Sequence, residues 1–517
     1  YNNVKKQYDF PLCWFAVFRK PESNVPSAGS TTLNITQLRL SQQKQAYSNK
    51  IKQIKQLIKN GFTYQVNYTL KQKFTYQGNP WSLYQELKEK QSTKYSAYIE
   101  TNDFSVLSLS PELFFKQKRQ TIEVQPMKGT ISRGLSLQED EARIKQLKHD
   151  RKNRAENLMI VDLLRNDLGK ICQFGSVVTK SLFDIEKYET LFQMTSKIVG
   201  KLKNKTSFVD ILKTLFPSGS VTGAPKIETI KIIRRLEKEE RKVYTGAIGY
   251  LSPQETVFNV AIRTIIIDKK GAGEMGIGGG ITYSSSEGDE YGEALLKGKF
   301  LSDAKLPEAL IETMLYEKGA LFLDKLHLER LEKSIRYLNF KADVTKIKIK
   351  LKRKLKTLEK NIKYKVRMLV YRNGIVNIDC AELNTEKPVN RVMISKKRIN
   401  SQDKYLYHKT TNRELYNTEH NLALKNGFAD VIFINERGEI AEGAISNVIL
   451  EIKGRKYTPS LAAGLLPGVY REYLLKSGEV SEKIIKIKDL READAIYLCN
   501  SVKKMWPVIL ERKKVIN

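Results

Sequence analysis

Four stretches rich in β-branched and aromatic residues constrain the first part of the chain more than any other feature. They are FSVLSLSPELFF (104–115), TIEVQPM (121–127), YTGAIGYLS (244–252) and TVFNVAIRTIIID (256–268). Bounded by Gly, Pro or Ser, such runs read as strands. Amphipathic helices alternate with them. AENLMIVDLLRNDLG (155–169) has helical apolar spacing, which predicts Leu158, Met159, Val161 and Leu164 inside and a stop at Gly169. From Leu306-Pro307 the texture changes. A strand (ALIETMLY), a turn and a second short strand lead to the helix HLERLEKSIRYL (327–338), and strand-rich sections follow over 362–398 and from about residue 430. At 517 residues the chain exceeds what one core serves. The junction KFLSDAKLPEA (299–309) carries a proline and little apolar content, so a domain over 1–302 precedes one over 307–517. Alternation of helices and strands makes the class α+β or α/β.

A formal charge of +33 permits nucleic-acid or membrane-surface binding, and it also favours anionic small substrates. The lysines, however, are interspersed with glutamates along helices, as in KIETIKIIRRLEKEERK (226–242), which fits solvated helix faces. Neither a zinc finger nor a basic zipper nor an RNA-binding aromatic signature occurs, so the expectation is no nucleic acid. No run approaches the roughly 18 apolar residues of a membrane span. The first residues, YNNVKKQYDFPLCWF, match no targeting pattern, and the missing methionine suggests a trimmed start. Cys13, Cys172, Cys380 and Cys499 lie far apart without metal spacing, which fits a reducing cytoplasm.

Several segments of the first part are chemically pointed. QPMKGTISRG (125–134) presents Lys128 between a proline that blocks helix and a glycine that permits close backbone approach. Glu112, after Ser110-Pro111, is brought beside Lys128 if a hairpin joins the two strands. Glu156 heads the apolar helix, where an acid needs a cation or hydrogen bonds. Glu290, Glu293 and Lys297 share one face of a helix, fed by the glycines of GIGGGITYSS (276–285), whose bare backbone can meet an anion. Each feature alone reads as an ordinary surface charge or loop.

As an ordered series, SLSPELFF, PMKGT, RAENLMIVDLLRNDLG, PSGSVTGAPK (217–226), YTGAIGY, VAIRT (260–264), GGGI and EYGEALLK resemble the chorismate-utilising enzymes over residues from about 50 to 300. The resemblance implies a large antiparallel β-sandwich with helices. It implies Mg²⁺ held by Glu156 and Glu293, and substrate carboxylates met by Tyr244, Arg263, Gly279, Gly280 and Lys297. Anthranilate and isochorismate synthases carry alanine where this chain has Lys128; a lysine there resembles the aminodeoxychorismate synthase branch. In that branch the lysine attacks ring carbon C2 as the 4-hydroxyl leaves, Glu112 acting as general acid, and ammonia then displaces the lysine. Met127 replaces the usual isoleucine, and Gln193 stands where several members have histidine. The four cysteines supply no glutaminase nucleophile, so a separate glutamine amidotransferase subunit is the implied ammonia source.

The second part carries its own series: HLERL, YHKTTNRELYN (407–417), GEIAEGAISN (438–447), TPSLAAGLLPGVYR (458–471) and LCNSVKK (498–504). Over about 307–510 these resemble the class IV pyridoxal-phosphate enzymes, which have a two-subdomain fold. The resemblance implies Lys409 as the lysine that carries pyridoxal 5'-phosphate and shuttles its protons. It also implies Glu442 as partner of the pyridine nitrogen, Arg330 as phosphate ligand, and Gly468, Val469 and Ser501 as the rest of the phosphate cup. The Lys-Thr-x-Asn-Arg form is closer to aminodeoxychorismate lyase than to the aminotransferases. Enzymes of this class commonly pair, which allows a homodimer through the second domain. The resulting expectation is a cytoplasmic bifunctional enzyme making 4-aminobenzoate from chorismate, for folate synthesis. The competing readings are anthranilate or isochorismate synthesis, an amino acid aminotransferase in the second half, and a basic nucleic-acid-binding protein.

Overall fold

Pro111 and Glu112 break what the sequence presents as one strand. In the computed structural model, which describes residues 10–20, 22, 34–302, 306–383 and 389–511, the chain leaves one sheet at Phe104–Ser110 and enters another at Leu113–Lys118. The stretch 256–268 divides in the same way, into Thr256–Val260 and Thr264–Asp268. A proline lacks the donor a ladder needs, and Arg263 adopts a left-handed φ of 49°. The chain therefore crosses between sheets at two adjacent places, and the residues at the crossings face the cleft between them.

Contacts divide the chain into two units, Tyr1–Arg133 with Ala142–Ala304, and Gly134–Glu141 with Lys305–Asn517. The first unit has two seven-stranded sheets. In one, Asn34–Leu40, Gln65–Gln77, Ala272–Ile281, Thr264–Asp268, Phe104–Ser110 and Tyr95–Glu100 run side by side, with Gly223–Ala224 joined to the second of these. The other sheet is ordered Ala247–Leu251, Thr256–Val260, Leu113–Lys118, Thr121–Gln125, Leu191–Lys201 and Met127–Ser132, with Val178–Lys187 also paired to Leu191–Lys201. All pairings are antiparallel. Each sheet buries its own apolar cluster against helices: Tyr47, Ile51, Leu83 and Phe300 against the first, Ile160, Leu164, Leu168 and Ile211 against the second.

The site-bearing helix is Arg151–Ile171, capped by the Asp150 side chain. It does not stop at Gly169; the glycine is accommodated within it, and the chain turns extended at Cys172. Leu158, expected inside, is exposed, and Asn157 is buried instead, accepting a hydrogen bond from Ser196 at 2.6 Å. Val161 and Leu164 are buried as expected and Met159 packs half-buried on the same core, so the buried stripe departs from the expectation at Leu158 alone.

In the second unit, Ala320–Leu321, Ala309–Glu317, Tyr364–Tyr371 and Val376–Glu382 form a four-stranded antiparallel sheet. The helices Asp324–Leu338 and Val344–Leu355 contribute Leu331, Ile335, Ile347 and Leu351 to the same core as Met314, Val366 and Met368 from the sheet. The second sheet has eight strands, mixed parallel and antiparallel. Its Ile440–Gly443 strand pairs with both Asp430–Asn435 and Asn447–Ile452, so the sheet returns on itself. No helix among the described residues is long and apolar enough to cross a membrane.

Candidate active sites

The hairpin from Leu113–Lys118 to Thr121–Gln125 pairs Leu113 with Gln125 and so sets Glu112 against the start of the next strand, Met127–Ser132. Lys128 and Glu112 are both buried, at 8% and 3% exposure, and line one cleft. Burial pushes the Glu112 carboxyl up to about 7, opposed by a 2.6 Å hydrogen bond from Ser220 Oγ, by the Lys128 charge and by the Met127 amide. Burial pulls Lys128 below the ordinary lysine range, with Glu156, Glu112 and Glu293 opposing and Lys297 adding to the shift. The hairpin brings both groups to the wall of one cleft.

Facing them is the helix Glu287–Gly298. Glu293 Oε1 lies 2.7 Å from Lys297 Nζ, which also donates to the Gly278 carbonyl at 2.9 Å. Burial raises Glu293, but Lys297, with Lys128 and Lys152, outweighs it and the carboxyl lies below its usual range. Glu156 differs. Burial and the neighbouring Glu290 and Glu293 leave it raised despite Lys128 and Lys152. Lys152 lies 3.2 Å from Glu290 and 3.9 Å from Glu156. Among the described residues no three carboxylate, histidine or cysteine side chains converge on one point. Glu156 and Glu293 nevertheless turn hard oxygens into the same cleft, and a divalent cation there would offset the burial and the neighbouring carboxylates that raise Glu156. The donor set suits Mg²⁺, with further oxygens coming from elsewhere.

The strand Ala272–Ile281 brings its glycines into this wall. A Cβ on Gly280 would stand 2.7 Å from Lys128 Nζ, and one on Gly279 3.2 Å from Glu290 Oε2. A side chain at Gly280 would displace the Lys128 amine, and one at Gly279 would press on Glu290. Tyr244, just before the strand Ala247–Leu251, is buried in the cleft wall, and burial raises its phenol. Arg263 also lines the cleft, but its Nη1 donates to Gln91 at 2.8 Å and its guanidinium lies over Tyr188 at 4.9 Å. Burial lowers it to about 10. Gln193 donates to the Gly129 carbonyl at 3.1 Å, where the pairing of the strand Met127–Ser132 is irregular beside Lys128. Ser220 and Lys152 escaped the sequence reading. The second had a usable signal, a cation four residues before Glu156.

In the second unit the residues around Lys409 pair with the strand Ala309–Glu317: Ile311 N–H donates to the Lys409 carbonyl at 2.8 Å. Desolvation, with Arg330 and Arg413 adding repulsion, pulls the Lys409 amine down to about 7. Glu442, on Ile440–Gly443, is pushed up to about 7 by burial, although it accepts from Leu466 N–H at 3.1 Å and Tyr416 OH at 3.0 Å. Arg330, on Asp324–Leu338, forks onto Glu312 at 3.0 and 2.6 Å. His327 Nδ1 shares that carboxylate at 2.7 Å, and Glu312 is held down to about 2. Gly468 stands at the N-terminus of the helix Val469–Lys476, where a Cβ would meet Asn447 Oδ1 at 1.8 Å. Ser501 is buried in the turn between Ala495–Asn500 and Lys504–Leu510. A buried acid that takes a proton near neutrality and a near-neutral amine suit the ring nitrogen and the carbonyl carbon of pyridoxal phosphate; Arg330 is the cation beside them, with its Nε and Nη2 engaged by Glu312. Glu312, His327 and Tyr416 were not foreseen, although an acid inside the apolar ALIETMLY was a readable signal.

Residues 12–303, more than half of the chain, match the family model described as chorismate binding enzyme. The chain belongs to that family. Residues 309–510 of this chorismate-binding family member match the amino-transferase class IV model. Aminodeoxychorismate synthase component 1 of Bacillus subtilis is 39% identical over 252 residues, which are 48% of this chain and 53% of that protein. The chain thus spans about half the length of this curated relative. A putative amino-acid aminotransferase from Mesorhizobium loti is similar at 34% identity over 39% of this chain and 99% of its own, with a TM-score of 0.37. A putative 4-amino-4-deoxychorismate lyase from Legionella pneumophila is 21% identical over 41% and 88%, with a TM-score of 0.35.

Proposed function

We propose that the chain makes 4-aminobenzoate in two steps: amination of chorismate to 4-amino-4-deoxychorismate in the first unit, and elimination of pyruvate from that product in the second. The observation that carries the reading is the buried Lys128 amine in the same cleft as Glu112, Glu156, Glu293 and Lys297. Cationic Lys297 and glycine backbone suit a dicarboxylate ring. Glu156 and Glu293 would hold Mg²⁺, which when bound supplies positive charge for a substrate carboxylate. Burial lowers the basicity of Lys128 and so raises the share of neutral amine, whose lone pair bonds with ring carbon C2. Glu112, still protonated near neutral pH, gives its proton to the departing 4-hydroxyl, which leaves as water. Ammonia then bonds to C4 and the lysine leaves, restoring the amine. A separate glutamine amidotransferase is the source of that ammonia.

In the second unit pyridoxal phosphate, when bound, supplies an electron-withdrawing ring. Lys409 would carry the cofactor and move protons, Glu442 would hold the proton at the ring nitrogen, and Arg330 with the amides at Gly468 and Val469 would hold the phosphate. The Lys409-Thr-Thr-Asn-Arg413 segment and the synthase-like first half support elimination over transamination. The test is incubation with chorismate, Mg²⁺ and an ammonium salt. 4-Aminobenzoate should appear only when pyridoxal phosphate is present, and aminodeoxychorismate should accumulate without it. Anthranilate or isochorismate as product would refute the reading.

A further inference from the structure

Among the described residues three lysines line the cleft of the first unit, and two of them have a place in the chemistry above, Lys128 as nucleophile and Lys297 as the cation for the substrate. Lys152 has none. It stands one turn before Glu156 on the helix Arg151–Ile171, and its ammonium lies 3.2 Å from Glu290 Oε1 and 3.9 Å from Glu156 Oε1. Glu290 has a second holder, since Ser285 Oγ donates to the same oxygen at 2.6 Å. Glu156 is held more loosely, with Thr282 Oγ1 at 3.3 Å. The Lys152 side chain is 39% exposed, so its stem can carry the charge out to water, whereas the carboxylates it touches are only 5% and 12% exposed.

We infer that Lys152 is a tethered competitor of the divalent cation: its ammonium leaves Glu156 when the metal binds there, and by holding that carboxylate it keeps metal affinity low in the substrate-free protein. The inference rests on the reading of Glu156 and Glu293 as the Mg²⁺ ligands. Mg²⁺ and an ammonium seek the same hard carboxylate oxygens, and two cations on one carboxylate repel each other strongly in a site walled from water. Lys152 and Glu156 share one helix face, so the competing charge is always at hand. Its departure leaves Glu290 with the Ser285 hydroxyl, so no buried acid is stranded. A dicarboxylate substrate brings the negative charge that lets metal and lysine share the cleft, which ties tight metal binding to the arrival of substrate.

The test measures binding of Mn²⁺, which takes the same oxygen ligands as Mg²⁺ and whose free-ion electron paramagnetic resonance signal is lost on binding. In the substrate-free protein Lys152→Met should bind Mn²⁺ about fivefold tighter or more, the scale of coupling between neighbouring sites, while Lys152→Arg, which keeps the charge, stays near the wild type. On the wild type itself, reductive methylation followed by peptide mass spectrometry should label Lys152 faster when Mn²⁺ is bound, because its ammonium has moved to water. Glu156→Gln separates this inference from the reading beneath it. Suppose that variant weakens Mn²⁺ binding, but Lys152→Met fails to tighten it or Mn²⁺ leaves the labelling of Lys152 unchanged or slower. The competition is then refuted and the metal site stands. If Glu156→Gln binds Mn²⁺ as well as the wild type does, the metal reading and this inference fall together.

Discussion

At position 128 a lysine is buried where its charge is poorly tolerated, and the consequences are measurable. Lys128→Ala should cut aminodeoxychorismate formation about a thousandfold or more, the scale seen when a nucleophile is removed. The mass of product formed from chorismate and ammonium checks it, and a rate equal to wild type removes the nucleophilic role. Glu112 sets a second expectation. With its carboxyl pushed up to about 7, the protonated acid dominates below that pH and disappears above it. The amination rate should therefore fall as pH rises through about 7, and Glu112→Gln, which cannot give a proton, should lose that limb along with most of the rate.

Between elements, the Glu312 carboxylate ties the strand Ala309–Glu317 to the helix Asp324–Leu338 through Arg330 and His327. Removing one member of a buried ionic group strands the others, which costs about 3–5 kcal/mol. Glu312→Ala should lower the urea midpoint of the second unit accordingly. The pH dependence has a definite sign. The folded pKa is depressed from 4.5 to about 2, so this stability is complete above pH 4.5 and is lost as pH falls toward 2. The stability difference between wild type and Glu312→Gln should shrink over that window; a difference that is constant with pH would contradict the ionised fork.

For the molecule as a whole, the two sites should be separable by mutation. Lys409→Ala should let aminodeoxychorismate accumulate and stop 4-aminobenzoate, whereas Lys128→Ala should still form 4-aminobenzoate when supplied with aminodeoxychorismate. Liquid chromatography of both products decides it. Part of the +33 charge is gathered on the Val344–Leu355 helix, where Lys346, Lys348, Lys352 and Lys354 all lie exposed. Affinity for duplex DNA should consequently fall steeply with salt and show no sequence preference at physiological ionic strength. Tight, sequence-dependent binding in that buffer would restore the nucleic-acid reading.

The chain order of apolar runs and Pro-Gly breaks was enough to read mixed helix-and-sheet architecture, the change of texture near residue 303 and the short segments that carry Lys128, Glu156 and Lys409, because those depend on local periodicity and residue type. Which carboxylates face which amines depends on strand register and on the two crossings between sheets, at Pro111 and near Arg263, where residues far apart in sequence come together. A hydrogen-bonding pattern read along the chain gives no account of the unpartnered, fully buried amide of Gln65 or of the Glu312 fork. Desolvation is a property of everything packed around a group, so the depressed amines and raised acids were decided only when the fold closed over them.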